Sequence, residues 1–115
     1  MKSTITTHVL DTARGTPISG MEVILELQTP GREWREVARG TTDSDGRINT
    51  LISGSNAPAP GIYRLVFQTG AYFRSAGIDG FYPFVQIVFE LNDSSRHYHV
   101  PLLISPFAYS TYRGS

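Results

Sequence analysis

Three histidines mark the two ends of this chain of 115 residues: His8 near its start, His97 and His99 close to its finish. Imidazole exchanges protons near neutral pH, so rings brought to one spot would make an acid–base centre. The closing residues Tyr112-Arg113-Gly114-Ser115 add a phenol and a guanidinium, side chains suited to gripping a planar or anionic ligand. Arg47 follows Asp43-Ser44-Asp45-Gly46 and by itself reads as a surface arginine after a hairpin turn. A single histidine in a strand is more often structural than catalytic. The chemistry therefore depends on which elements bring these groups together.

Strand pleating assigns side chains to faces. Residues 4–11 alternate as a first strand, with Thr6, His8 and Leu10 on one face and Ile5, Thr7 and Val9 on the other. Residues 96–104 form the last strand but one. There His97, His99, Pro101 and Leu103 share a face, opposite Tyr98 and Val100. In the last strand, 108–113, Ser110, Tyr112 and Gly114 lie together and Arg113 points the other way unless the chain end twists. Gly114 permits close approach of a facing backbone or ligand.

The remaining elements follow from the same period-two alternation. Strands are expected over 21–27, 34–40, 47–51 and 61–69, and one or two helical turns over 69–76. Residues 84–91 are apolar enough for a strand buried on both faces, and 53–60 read as a loop. Position 18 falls in a turn, and Asn92-Asp93-Ser94-Ser95 reads as a hairpin turn. About eight short strands with regular turn signals and one short helix predict an all-β, two-sheet sandwich filling a single domain, residues 1–115.

Composition narrows the function. The formal net charge is zero with no charge run, so nucleic acid and anionic membranes are poor partners. No stretch approaches the apolar length of a membrane helix. The N-terminus has no long apolar run, so no secretory signal is expected and a cytoplasmic location is the default. The chain has no cysteine, which removes disulfides, thiolate metal sites and thiol catalysis. The Asp43–Gly46 turn lacks the third acidic position and the later bidentate glutamate of a calcium loop, so no metal site is expected. Gly-x-Ser-x-Gly is absent, and nothing in sequence activates Ser115 as a nucleophile.

Three segments carry a resemblance: Thr7-His8-Val9-Leu10-Asp11 with Gly15-Thr16-Pro17, then Thr42-Asp43 with Asp45-Gly46-Arg47, then His97 to Pro106 with Tyr112-Arg113-Gly114-Ser115. In this order, across essentially the whole chain, they resemble the transthyretin-like family. The closing tetrapeptide resembles its 5-hydroxyisourate-hydrolysing branch rather than the hormone carriers. Ile18 stands where that branch carries Ala.

The resemblance implies a prealbumin-like β-sandwich, a homotetramer with active sites where dimers meet, no cofactor, and hydrolytic opening of the cyclic amide of 5-hydroxyisourate. It also implies roles. His8 and His99 position and deprotonate water, and Arg47 holds substrate and offsets negative charge. Tyr112 and Arg113 contact the substrate. Ser115, with a terminal carboxylate, orients a histidine or the water. His97 is expected nearer the strand end and solvent. The competing readings are a transthyretin-type carrier of small molecules or hormones, whose channel should be wide and apolar, and a structural β-sandwich module.

Overall fold

The structure, a computed structural model, describes residues 4–52 and 58–115. Nine strands and one helix are present among them. These are β1 (Ile5–Asp11), β2 (Thr16–Pro17), β3 (Glu22–Gln28), β4 (Trp34–Thr41), β5 (Arg47–Ile48), β6 (Gly61–Phe67), α1 (Thr69–Ser75), β7 (Val85–Leu91), β8 (Tyr98–Ser105) and β9 (Ala108–Thr111). One sheet runs β2-β1-β8-β9 with β5 also paired to β1, and the other runs β4-β3-β6-β7. The expected two-sheet sandwich with a short helix is the fold observed.

Alternation decides what each strand buries. Ile5, Val9, Tyr98, Val100, Leu102 and Ile104 turn inward from the first sheet, and Val23, Leu25, Tyr63, Leu65 and Phe67 meet them from the second. Such a dry layer between two sheets supplies most of the folding free energy, at roughly 25 cal/mol per Å² of apolar surface removed from water. The residues between the inward ones, Thr6, His8 and Leu10 on β1 and His99, Pro101 and Leu103 on β8, belong to the outer face.

The pairing that matters most for the site is parallel. β1 runs alongside β8 in the register Thr6↔His99 and His8↔Pro101. Partners in register point to the same side of a sheet. The two ends of the chain are therefore adjacent, and Thr7 Oγ1 donates to the Val100 carbonyl at 2.6 Å to tie them on the inner side. On the other edge of β1, β5 pairs antiparallel with His8 opposite Arg47.

A tight turn sets Arg47 there. Asp43 Oδ1 accepts from the Asp45 and Arg47 amides at 2.9 and 3.0 Å, and the Gly46 amide donates to the Asp43 carbonyl at 2.9 Å. The Val9 amide then donates to the Gly46 carbonyl at 2.8 Å, docking the turn on β1. Gly46 has φ of +75°, and a Cβ there would fall 2.5 Å from the Val9 carbonyl oxygen. Both facts restrict the position to glycine.

Four expectations are corrected. Residues 84–91 are not buried on both faces: β7 starts at Val85, lies at a sheet edge, and leaves Val88 57% exposed. Asn92–Ser95 is not a hairpin turn, because β7 and β8 belong to different sheets and the turn crosses between them. Only Arg47 and Ile48 of the expected 47–51 strand pair with a neighbour. Ile18 is buried in the core at 2% exposure rather than idling in a turn. The 53–60 loop lies largely outside the described residues, of which 58–60 are neither helix nor strand.

Gly46→Ala is expected to destabilise the fold by about 1–3 kcal/mol, the cost of forcing a side chain into a left-handed backbone position. Urea titration measures it, and an unchanged midpoint at constant m would contradict this account of the turn.

Candidate active site

On the outer face of the β1–β8 sheet, Thr6, Arg47, Asn49, His97, His99 and Ser115 line one small cleft. Each reaches it for a structural reason. Thr6 and His99 are register partners on β1 and β8. His97 lies two residues before His99, just outside β8, with its ring nearly parallel to the His99 ring at 12° and 6.3 Å between centroids. Arg47 comes from β5 on the far side of β1, and Asn49 follows it.

Thr6 is only 2% exposed, yet its hydroxyl lies between the two imidazoles. Its Oγ1 is 2.8 Å from His99 Nδ1 and 3.1 Å from His97 Nε2. Buried polar groups of this kind are costly unless bonded, and here the bonding holds two rings in fixed orientation.

The chain end folds back over His99. The Gly114 amide donates to the His99 carbonyl at 2.8 Å, forming an isolated bridge between these two residues. A Cβ on Gly114 would fall 2.5 Å from His99 Cδ2. Glycine is thus required for contact with the imidazole itself, and it carries Ser115 to the cleft.

Of the residues expected at the site, Arg47, His99 and Ser115 line the cleft and His8, Tyr112 and Arg113 do not. His8 is the register partner of Arg47 and of Pro101, so it lies on the same face one pair along from Thr6 and His99. Arg113 sits over the Tyr98 ring, its Cζ 4.5 Å from the centroid, and donates to the His97 carbonyl at 3.3 Å. It therefore points away from the imidazoles and pins the chain end to the start of β8. Tyr112 is 60% exposed and, with Arg113, lines a separate groove along β7 and β9.

The cleft also contains Thr6 and Asn49, which the sequence did not mark as site candidates, and His97, expected nearer the solvent. The signal for Thr6 was its place on the His8 face; nothing in sequence singles out Asn49.

Size matters as much as composition. The cleft has about 60 Å³, against about 220 Å³ for the apolar groove beside Tyr112 and about 580 Å³ for a hollow beside α1. Small-molecule sites usually enclose about 300–1,000 Å³. The larger hollows contain no histidine, so the space and the imidazoles lie in different places. A cleft of this size has room for water and for part of a small ligand. Among the described residues no group of three or more His, Cys, Asp or Glu is placed to hold a metal ion, and no helix is long and apolar enough to cross a membrane.

Comparison with known proteins identifies the family. The chain is 46% identical over 111 residues to 5-hydroxyisourate hydrolase of Salmonella dublin, covering 96% of this chain and 80% of that protein. It is 44% identical over 114 residues to 5-hydroxyisourate hydrolase of Mus musculus, covering 98% and 96%. Among solved structures it matches sea bream transthyretin in complex with thyroxine at a TM-score of 0.89 and 32% identity, covering 96% of this chain and 93% of that one. A family model described as HIUase/Transthyretin family matches residues 5–114. The chain belongs to the HIUase/Transthyretin family.

Proposed function

We propose that this chain opens the cyclic amide of 5-hydroxyisourate with water activated by the imidazoles of the β1–β8 face. It is an enzyme of urate degradation, a hydrolase giving 2-oxo-4-hydroxy-4-carboxy-5-ureidoimidazoline, and its substrate is a small molecule. The observation that carries the site is the pair of rings bridged by Thr6 in one cleft with Arg47 and Ser115.

The chemistry asks for three things. Water must lose a proton as it attacks the carbonyl carbon, the developing oxyanion must be stabilised, and the leaving nitrogen must gain a proton. His99 accepts the proton from water and returns it to the nitrogen as the C–N bond breaks. Arg47 presents its donors to the oxyanion and to the substrate's carbonyl oxygens. His8, beside Arg47 and on the same face, positions the water or the heterocycle. Ser115 closes the cleft over His99. Arg113 holds the chain end in place, and Tyr112, exposed on this copy, contacts substrate held between copies. No cofactor enters these steps.

The carrier reading is weaker. A carrier of apolar hormones needs a wide apolar channel, and this face presents imidazoles, a guanidinium and an amide.

A homotetramer completes the site. A cleft of about 60 Å³ in one copy is far smaller than a typical ligand site, so a second copy facing it supplies the missing walls. The edge strands β7 and β9 offer unpaired backbone for assembly. A cytoplasmic location accompanies this reading, supported by the absence of cysteine from the sequence.

Freshly made 5-hydroxyisourate should lose its absorbance faster with the protein than spontaneously; equal rates would remove the hydrolase reading. His99→Ala is expected to lower kcat by about 10²–10⁴, and Arg47→Ala by about 10²–10³ through lost charge stabilisation. His8→Ala should also fall, with a pH–rate profile different from that of His99→Ala. Wild-type rates in any of the three would exclude that residue.

Gly114→Ala tests the chain end. It should keep the melting temperature while kcat/KM drops by about 10², as expected for an ångström-scale displacement of a reacting group. Undiminished activity would mean that the His99 contact is incidental.

A variant held as a folded dimer is expected to be inactive, which sedimentation combined with the absorbance assay decides; an active dimer would show that one pair of copies suffices.

A further inference from the structure

We infer that Thr6 is a positioning residue that fixes the tautomers of His97 and His99 and relays a proton between them, an inference that rests on the hydrolytic reading of the cleft. A threonine hydroxyl carries one proton and two acceptor sites. Its Oγ1 lies 2.8 Å from His99 Nδ1 and 3.1 Å from His97 Nε2. Among the described residues the hydroxyl has no other hydrogen-bond partner. Accepting from both rings would leave its proton unused at a position only 2% exposed. Hence it donates to one ring and accepts from the other, and the two facing nitrogens are complementary: one bare, one protonated.

The hydrolysis sets the direction. His99 serves as base through Nε2, so its own proton sits on Nδ1 and is donated to Thr6. Thr6 in turn donates to a bare His97 Nε2, which places the His97 proton on Nδ1. When His99 Nε2 takes the proton from water, the Nδ1 proton moves to Thr6 Oγ1 as the Thr6 proton moves to His97 Nε2. His99 and Thr6 each gain one proton and give one up, and His97 gains one. The positive charge then rests on His97.

By register His97 is one step further than His99 from the level of Arg47, which pairs with His8. Like charges are thereby kept apart while the tetrahedral intermediate exists. On collapse the sequence reverses. His97 returns its proton through Thr6 to His99 Nδ1, and His99 Nε2–H protonates the nitrogen as the C–N electron pair leaves with it.

Long-range proton–nitrogen NMR spectra of ¹⁵N-labelled protein without substrate read the tautomers directly. Wild type and Thr6→Ser should both show His97 and His99 protonated on Nδ1. Thr6→Val, which keeps the shape and removes the hydroxyl, should redistribute both rings between tautomers. In the absorbance assay Thr6→Val should lose about 10²–10⁴ in kcat, the range for a lost proton-transfer function, with KM within about twofold. Thr6→Ser should recover most of it.

His97→Phe provides a second route if Thr6→Val folds poorly. Its kcat should fall comparably, and the double variant should be no worse than the poorer single one, as for groups acting as a unit. Unchanged tautomers in Thr6→Val, a wild-type kcat in either variant, or losses that multiply in the double variant would each overturn the relay. A wild-type protein that leaves 5-hydroxyisourate untouched would instead remove the functional reading, with the NMR spectra still deciding the tautomers.

Discussion

The parallel pairing of β1 with β8 is the constraint on which everything else rests. It joins residues more than ninety positions apart, as in the contact of Thr6 with His99. Closing so long a loop costs chain entropy, though the cost grows only logarithmically with length. Apolar burial on the inner side offsets it: Ile5, Val9, Val100, Leu102 and Ile104 are all buried on the same two strands. The outer side carries the imidazoles because the inner side carries the core. A slip of one residue would turn His8 and His99 inward and Val9 and Val100 outward, so the register and the outward facing of the imidazoles are enforced by the same apolar contacts.

A second constraint fixes the remaining charge. Arg47 has no core contact to hold it and is exposed. Its position comes from backbone alone, through the Asp43 turn and the docking of Gly46 on Val9. A guanidinium whose backbone is fixed but whose side chain is solvated stays available to a ligand and costs the fold no burial of its charge. The chain end uses the same device, since Gly114 bonds to the His99 carbonyl while Arg113 stacks on Tyr98. Both arms meet on a face whose rings are already held by Thr6.

Much of this was legible in the sequence because alternation is a local signal. The faces of β1 and β8 follow from pleating, and so does the turning of Arg113 away from the imidazoles. What stayed hidden depends on distant partners. The apolar run of β7 fits burial on both faces equally well as an edge strand with Val88 left outside. The turn chemistry of Asn92–Ser95 says that the chain reverses, not which sheet receives it. Ile18 sits among turn residues, and only the third dimension shows it reaching the core. Thr6 resembles any β-branched strand residue, and its role emerges only when two imidazoles arrive from the far end of the chain.

The same sandwich supports a thyroxine-binding transthyretin in sea bream, at a TM-score of 0.89. A shared fold does not fix the chemistry; the side chains on one face do. An apolar face excludes water from a bound hormone, whereas a hydrolase must admit water and aim it. On this chain the outer face of β1 and β8 holds a bridged pair of rings, with a guanidinium on the neighbouring strand. These groups would weaken an apolar ligand's binding by leaving polar atoms to be desolvated without partners. They suit a polar ligand better than an apolar one. The inward-facing residues can therefore maintain one architecture for carrier and enzyme alike, while the outward-facing ones are free to differ.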